Sequence, residues 1–190
     1  VANVLGMLTW RELDAAIERG DIDTVIIATC DMQGRLIGKR VSGWYFREHA
    51  RDHGTHFCTY LLGTDMELET PPGFELMTWE SGYGDYLSRP DLSTARRIPW
   101  LEGTALVLAD AVDEATGDEI PVSPRTMLEQ QIERCRALGF EPKMASELEF
   151  YLFDESYRAI KTKAYRDFEL GGDFNEDYQL LQGTKHEVFY

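Results

Sequence analysis

The chain of 190 residues has no apolar run that approaches the about 18 residues of a membrane-spanning helix. Its three cysteines, Cys30, Cys58 and Cys135, lie far apart and form no C-x-x-C pair. An odd number of cysteines without metal or disulfide spacing is typical of a reducing compartment. Residues 1–9 also lack the basic-then-apolar order of a signal peptide. We therefore expect a cytoplasmic protein with no membrane segment.

Basic residues are scarce. Lysine and arginine number 19 against 34 aspartates and glutamates, so the formal net charge is −15. This charge disfavours non-specific binding to nucleic acid or anionic membranes, because both would repel it. Solubility explains most of the charge, and carboxylates gathered around cations are the alternative. The length fits one large domain or two small ones, and 43% hydrophobic residues are enough for a packed core.

Local patterns predict a small mixed domain in the first half of the chain. Thr9 and Glu12 have capping-box spacing and open an amphipathic helix that ends at Gly20. The patterns that follow predict a hairpin, a short helix and two further strands. They are a strand over 24–29, a turn over 31–34, a strand over 35–42, a helix over 44–53, and strands over 56–62 and 104–111.

The segment 63–100 is rich in proline and glycine and has few regular apolar repeats. A loop of this length inside a compact domain is usually functional or disordered. Its aromatic residues favour order, and so function. Ser123 and Pro124 then mark the start of a helix, which Gly139 ends. This helix and the strand that follows it, over residues 144–153, look like the start of a second domain, but they cannot bury a core of their own. We therefore expect the chain to be a fragment or a small partner-dependent protein.

Glu147 and Glu149 lie within the run Lys143-Met-Ala-Ser-Glu-Leu-Glu-Phe-Tyr-Leu-Phe153. The apolar residues predict a buried strand over 144–153. Because side chains alternate across a strand, the two glutamates share a face, roughly 6–7 Å apart at their Cβ atoms. Such like charges need compensation from a basic partner, protonation or a divalent cation. Carboxylate oxygens suit Mg²⁺ and Mn²⁺, and a solvent-facing or salt-bridged pair is the alternative.

Four motifs in a shared order resemble the glutamine synthetase family. The E-x-E-F strand at Glu147 resembles the strand that opens the catalytic domain of that family. The hairpin Asp31-Met-Gln-Gly-Arg-Leu-Ile-Gly-Lys39 is similar to the D-x-x-G-x-x-x-G-K hairpin of its N-terminal β-grasp domain. Further matches are Gly84-Asp-Tyr-Leu-Ser-Arg-Pro-Asp-Leu-Ser-Thr94 and the helix start Ser123-Pro-Arg125. Each motif alone is weak, and their order makes the resemblance specific.

Three other segments resemble the branch of γ-glutamyl-amine ligases, which act on polyamines or ethanolamine. These segments are residues 55–62, 80–85 and 177–185. Members of the family are more than twice as long as this chain. The resemblance therefore covers the N-terminal domain and the opening of the catalytic domain. It implies an α+β fold, with a β-grasp-like domain at 1–112 and an incomplete catalytic domain at 113–190.

The resemblance implies an ATP-dependent ligase. ATP would phosphorylate the γ-carboxylate of glutamate, and an amine or ammonia would displace the phosphate. Two or more Mg²⁺ or Mn²⁺ ions per site would neutralise the phosphate charge. In the family the two glutamates of E-x-E serve different ions, so Glu147 and Glu149 would each bind one. A homo-oligomeric ring of the dodecamer type, with sites between subunits, is also implied.

The amine must be neutral when it attacks, so an anionic residue must bind the cation and accept its proton. The D-G-S-S signature that holds this aspartate in the family is absent here. Asp65 is the nearest positional match and Asp85 its companion, whereas a turn carboxylate that caps backbone amides is the alternative. Trp79, Tyr83 and Tyr86 could form the wall of the amine pocket or could be packing residues. The alternatives for the whole protein are a glutamine synthetase that uses ammonia and a non-catalytic or regulatory paralogue.

Overall fold

The computed structural model describes residues 6–74, 82–172, 174 and 177–189. The chain divides into two compact units, Val1–Pro142 and Lys143–Tyr190. Each helix among the described residues is too short or too polar to span a membrane. The domain boundary predicted between residues 112 and 113 stays a prediction.

The first unit is built on a six-stranded mixed sheet. Its strand order is β2-β1-β6-β4-β3, with β5 paired to β6. β1 and β6 run parallel, and the other neighbouring strands are antiparallel. The strands are β1 (Thr24–Cys30), β2 (Leu36–Ser42), β3 (Thr55–Cys58), β4 (Asp85–Pro90), β5 (Arg96–Arg97) and β6 (Thr104–Val112). The expected mixture of helices and strands is therefore present.

Helix α1 (Trp10–Arg19) forms as predicted. Thr9 and Glu12 make a complete capping box, in which each side chain bonds to the backbone of the other. Gly20 ends the helix in the left-handed conformation, with φ of 79°. Leu13 and Ala16 are buried and fasten the helix to the main core of the sheet.

The β1–β2 hairpin also forms as predicted, with Cys30 opposite Leu36 at its closed end. Gly38 allows the two strands to approach closely. A Cβ atom added at Gly38 would lie 2.1 Å from the carbonyl oxygen of Ile27. Only glycine fits there without moving the backbone of one strand.

The predicted helix over 44–53 is present in three parts: α2 (Gly43–Tyr45), a π-helical turn (Phe46–Ala50) and α3 (Arg51–His53). Phe46 and Ala50 are fully buried in the main hydrophobic core, which also contains Leu13, Val25 and Val107. The π turn sets those two side chains against the sheet within a short helical segment. Gly54 then turns the chain at a φ of 66°.

Two predictions for the middle of the chain are wrong. The strand expected over 56–62 ends at Cys58, and residues Thr59–Leu62 form a 3-10 turn. The segment 63–100 is not one long loop, because it contains β4 and β5 joined by the 3-10 turn Leu92–Thr94. β4 pairs with β3 on one side and β6 on the other. This pairing with distant strands outweighs a weak local pattern that includes Pro90.

The sheet curls so far that its two outer strands approach each other. Lys39 on β2 places its Nζ atom 5.4 Å from the ring centroid of Phe57 on β3, although these strands stand at opposite ends of the strand order. A sheet needs a strong twist to bring its edges together in this way. The hairpin turn after β1 consequently lies beside the chain that follows β3.

Helix α4 (Pro124–Ala137) completes the first unit, with Ser123 as its N-cap residue and Pro124 in the first turn, as predicted. The second unit contains α5 (Tyr157–Thr162), α6 (Leu180–Gly183) and the 3-10 helix Thr184–Phe189. Within this unit the carboxylate of Glu155 links two other positions of the chain. Its Oε1 accepts hydrogen bonds from Lys163 Nζ at 2.8 Å and from the N–H of Glu169 at 2.5 Å.

The strand predicted over 144–153 does not form in the structure. Residues 144–152 have no regular secondary structure, and Phe153 makes an isolated bridge to Leu170. Leu148, which was expected in a core, is 83% exposed. A strand forms when a neighbouring strand satisfies its N–H and C=O groups in a regular ladder. The described residues form no such ladder with 144–152, although the N–H of Gly171 donates to the carbonyl of Leu152 at 3.1 Å.

Candidate functional site

Asp65 opens a compact loop after the 3-10 turn that follows β3. Its Oδ1 atom accepts from the N–H groups of Glu67 at 2.9 Å and Glu69 at 3.0 Å. Its own N–H donates to the carbonyl of Glu69 at 2.9 Å. The carboxylate is therefore a loop cap, as the alternative interpretation proposed. Within the described parts of the chain, both of the hydrogen bonds that this carboxylate accepts go to Oδ1.

Asp85 is the first residue of β4 and is exposed. It pairs with Cys58 on β3. The neighbouring Gly84 carbonyl accepts from both the N–H and the hydroxyl of Thr59, each at 2.9 Å. No hydrogen bond or ion pair joins Asp85 to Asp65 among the residues that the structure describes.

The segment before Asp85 nevertheless lies beside the Asp65 loop. The hydroxyl of Tyr83 is 3.5 Å from the hydroxyl of Thr70, just beyond the loop. The ring of Tyr83 also contacts that of Tyr60, with 6.1 Å between centroids. These contacts place both candidate aspartates at the same end of the curled sheet, where β3 ends and β4 begins.

Tyr86 is a packing residue and does not form a pocket wall. It is fully buried, and its ring meets that of Phe57 edge-on, with 5.7 Å between centroids. Burial raises the pKa of the Tyr86 phenol, and the neighbouring Cys58 raises it further, so the group stays neutral. Tyr83 remains a candidate for the pocket wall, and Trp79 lies outside the described residues.

The turn that precedes β2 carries an ion pair between a buried aspartate, Asp31, and a half-buried arginine, Arg35. The carboxylate of Asp31 is 1% exposed, and its Oδ2 accepts from Arg35 Nε at 2.6 Å. Its Oδ1 accepts from the N–H groups of Gln33 and Arg35 at 3.0 and 2.8 Å. Burial alone would raise the pKa of Asp31, but these hydrogen bonds and the guanidinium charge together lower it below its ordinary value. Asp31 is therefore a fixed anion inside the hairpin motif.

Glu147 and Glu149 are both exposed, in the second unit, on a segment without regular secondary structure. Their oxygens are the donors that Mg²⁺ and Mn²⁺ prefer, so the residue types fit the predicted metals. Two carboxylates are too few for a complete coordination shell. The described residues contain no group of three or more His, Cys, Asp or Glu side chains that could hold a metal ion.

A second set of motif residues meets at the start of α4. Arg125 pairs with Asp91, with Asp110 and, at 3.6 Å, with Glu129. Asp91 also caps the 3-10 turn after β4, because its Oδ1 accepts from the N–H of Ser93 at 3.0 Å. The resemblance of these motifs to the family predicts no role for their charges. The opposite charges of Asp91 in the P-D-x-S-T motif and Arg125 in the S-P-R motif were the sequence signal that could have predicted this ion pair.

Comparisons with known proteins agree with these motifs. Residues 121–184 match the family profile described as glutamine synthetase, catalytic domain. The chain is 41% identical over 181 residues to gamma-glutamylethanolamide synthetase GlnA4 of Streptomyces coelicolor, which covers 95% of this chain and 39% of that protein. It is 37% identical over 165 residues to glutamate–isopropylamine ligase of a Pseudomonas species, which covers 87% of this chain and 36% of that protein. The chain belongs to the glutamine synthetase family.

Within that family the chain falls in the branch of the amine ligases, as the sequence motifs predicted. It spans about two fifths of the length of these relatives. The fold agrees as well, with a TM-score of 0.50 to the GmaS/ADP complex at 22% identity, covering 66% of this chain and 26% of that one. A solved glutamine synthase homolog gives a TM-score of 0.51 at 20% identity, covering 62% and 27%.

Proposed function

We propose that the protein is an ATP-dependent ligase that joins an amine to the γ-carboxylate of glutamate through γ-glutamyl phosphate. The observation that carries the proposal is the 41% identity, over 95% of this chain, to a relative named gamma-glutamylethanolamide synthetase. The second relative is named for isopropylamine. Two relatives named for different primary amines favour an organic amine over ammonia as the substrate.

In this proposal Asp65 binds the ammonium form of the amine and accepts its proton. Oδ1 holds the loop closed, so Oδ2 is the oxygen that would face the substrate. A protonated amine has no lone pair for attack, and a carboxylate in contact with it both attracts the cation and takes up the proton. Asp85, whose strand begins beside the same loop, would add a second negative charge.

Glu147 and Glu149 are proposed to bind two different Mg²⁺ or Mn²⁺ ions. When bound, such ions neutralise the phosphate charge of ATP and of the transferring phosphoryl group. The residues of this chain would then fix the carboxylate ligands and the amine-binding anion. The remaining ligands are proposed to come from parts of the protein other than the residues described.

The arrangement of the whole protein is part of the proposal. Residues 1–112 would be a β-grasp-like domain and 113–190 the opening of the catalytic domain. Subunits would form a homo-oligomeric ring in the cytoplasm, with sites shared between neighbours. Four exposed apolar side chains around the Asp65 loop support a subunit contact there: Met32, Leu36, Met66 and Leu68.

Phosphate release by the full-length protein tests the proposal. ATP, glutamate and Mg²⁺ would be supplied with ethanolamine, isopropylamine, a polyamine or ammonia, and the product mass would be measured. Faster release with one organic amine than with ammonia, together with the matching γ-glutamyl product, supports the ligase. Release with ammonia alone would identify a glutamine synthetase. No release with any of them would favour a non-catalytic paralogue.

A further inference from the structure

Three consecutive carbonyl groups of the Asp65 loop accept hydrogen bonds from side chains of one distant turn. Gln33 Nε2 donates to the carbonyl of Thr64 at 2.9 Å. Arg35 donates from Nη2 to the carbonyl of Asp65 at 3.1 Å and from Nη1 to that of Met66 at 2.8 Å. The turn between β1 and β2 thus holds the backbone on both sides of the Asp65 side chain.

The donors are themselves fixed. Arg35 uses its Nε atom on the buried carboxylate of Asp31 and its two terminal nitrogens on the loop. A guanidinium group is planar, so these three bonds set its position and orientation together. The side-chain carbonyl of Gln33 also lies 3.4 Å from Arg35 Nη2. Asp31, Gln33 and Arg35 form one connected unit, which we call the latch.

The Asp65 loop has a strained backbone and little packing, so contacts from outside the loop are needed to hold its conformation. Leu68 adopts a φ of 65°, in the left-handed region that is unfavourable for a leucine. Met66 and Leu68 are exposed by 66% and 54%, so packing contributes little to the loop. The Asp65 carboxylate bonds to the loop from within, and the latch ties the loop to the turn between β1 and β2.

We propose that Arg35 is a positioning residue for the amine step, which it serves by holding the Asp65 carboxylate in place. The inference rests on the proposed function of Asp65. Arg35 does not touch the substrate in this account. It fixes the two carbonyls next to the Asp65 side chain, so its loss allows the carboxylate to move away from the amine.

A role in amine chemistry differs measurably from a role in folding. Hydroxylamine is mostly uncharged at neutral pH, so no proton has to be removed from it before it attacks γ-glutamyl phosphate. The proton that its nitrogen loses after the C–N bond forms can pass to the departing phosphate or to water. Ethanolamine is protonated at that pH and does require a carboxylate to take up its proton before it attacks. A misplaced Asp65 therefore slows the reaction of ethanolamine selectively, whereas a general loss of folded protein slows both reactions equally.

The experiment compares Arg35→Lys and Arg35→Met with the unmodified full-length protein. Lysine keeps a positive charge beside Asp31 but cannot bond to both loop carbonyls at once. We expect kcat/KM for ethanolamine to fall about 10- to 100-fold, with the rate for hydroxylamine and the KM values for ATP and glutamate little changed. The deficit with ethanolamine should shrink as the pH rises, because the free base becomes more abundant.

Arg47→Met is the matched control. The Arg47 side chain is 33% exposed, against 35% for Arg35, and its Nε pairs with Asp14 at 2.9 Å. It contacts α1 and not the Asp65 loop, so its ratio of ethanolamine to hydroxylamine activity should stay that of the unmodified protein. An equal fall of both activities in Arg35→Lys would overturn the inference and make the latch purely structural.

Asp65→Asn separates the two proposals. It should lower the ratio of ethanolamine to hydroxylamine activity at least as much as Arg35→Lys does. A lowered ratio in Asp65→Asn with an unchanged ratio in Arg35→Lys overturns the positioning role alone. An unchanged ratio in Asp65→Asn overturns the proposed role of Asp65 and, with it, the positioning role of Arg35.

Discussion

Arg125 donates from its Nε atom to Oδ1 of Asp110 at 2.6 Å, which joins the first turn of α4 to strand β6. Its Nη2 atom pairs with Asp91, in the turn after β4. Asp91 belongs to the motif at residues 84–94 and Arg125 to the one at 123–125, and the arginine fork is suited to two carboxylates at once. The P-D-x-S-T and S-P-R motifs therefore have a shared structural role, because they fasten α4 to the sheet.

Removal of this arginine should loosen the start of α4. In Arg125→Met the carboxylates of Asp91 and Asp110 lose a partner while half-buried, and we expect the opening free energy of α4 to fall by about 2 kcal/mol, less than for a fully buried pair. Amide hydrogen exchange in the first two turns of α4 measures this local opening. Arg136→Met, which removes only exposed ion pairs with Glu133 and Glu141, should have a much smaller effect, because solvent screens exposed charges. Equal effects of both variants would contradict the role of Arg125.

The raised pKa of Glu129 predicts that its contribution to folding stability falls as the pH rises, which is opposite to the effect of a carboxylate whose pKa folding lowers. Burial raises its pKa above the ordinary 4.5, and the neighbouring Asp110 raises it further, while Arg125 lowers it. Because the folded pKa is the higher one, the stability contributed by protonated Glu129 is complete below pH 4.5 and is lost as the pH rises through the folded value.

Glu129→Gln cannot ionise, so it should stabilise α4 relative to the unmodified protein at neutral pH. The gain should be absent at about pH 4 and grow as the pH rises. Hydrogen exchange of α4, corrected for the intrinsic exchange rate at each pH, measures it. Glu133→Gln, an exposed position in the same helix, serves as the control. A loss of protection in Glu129→Gln at neutral pH would show that the ion pair with Arg125 outweighs the cost of burial.

Gly38 tests how closely β1 and β2 must approach. In Gly38→Ala the new Cβ would lie 2.1 Å from the Ile27 carbonyl and 2.9 Å from Ala28 Cα, and backbone atoms cannot yield as a flexible side chain can. We expect a loss of about 2 kcal/mol or more in the opening free energy of the hairpin. Gly84→Ala is the control, since a Cβ there meets nothing within 4 Å. Unchanged exchange in Gly38→Ala would refute the close approach.

Local sequence signals were sufficient to predict the elements that are defined by contacts between residues close together in the chain. The Thr9 capping box, the left-handed Gly20 and the hairpin turn at Gly34 each involve residues a few positions apart. β4 could not be found in this way, because its burial depends on pairing with β3 and β6. Residues 144–152 show the opposite case, since their pattern suits a strand but the described residues form no β-ladder with them.

The candidate site was less predictable than the fold. Asp65 followed only from a family resemblance, and its loop-capping bonds agree with the alternative interpretation as well. The bonds from Gln33 and Arg35 to the loop cross about thirty positions in sequence, so no local spacing could reveal them. They depend on the curl of the sheet, which brings β2 beside the end of β3.

Glu147 and Glu149 yield the sharpest test of the proposed metal centre. If each glutamate serves a different ion, Glu147→Gln and Glu149→Gln should each raise the Mg²⁺ concentration needed for half-maximal activity by about tenfold or more. Their effects should add in free energy in the double variant, because they act on separate ions. Titration calorimetry with Mn²⁺ should show the loss of about one bound ion per single variant.

Glu187→Gln is the matched control, since it removes one exposed glutamate from the same compact unit. Its metal activation curve should coincide with that of the unmodified protein. If both glutamates bound one ion, the first substitution would remove it and the second would add little, so strong non-additivity would contradict the two-ion assignment. If neither variant changed Mn²⁺ binding, the pair would be a solvent-facing one, and the metals of the ligase would have to be held without this segment.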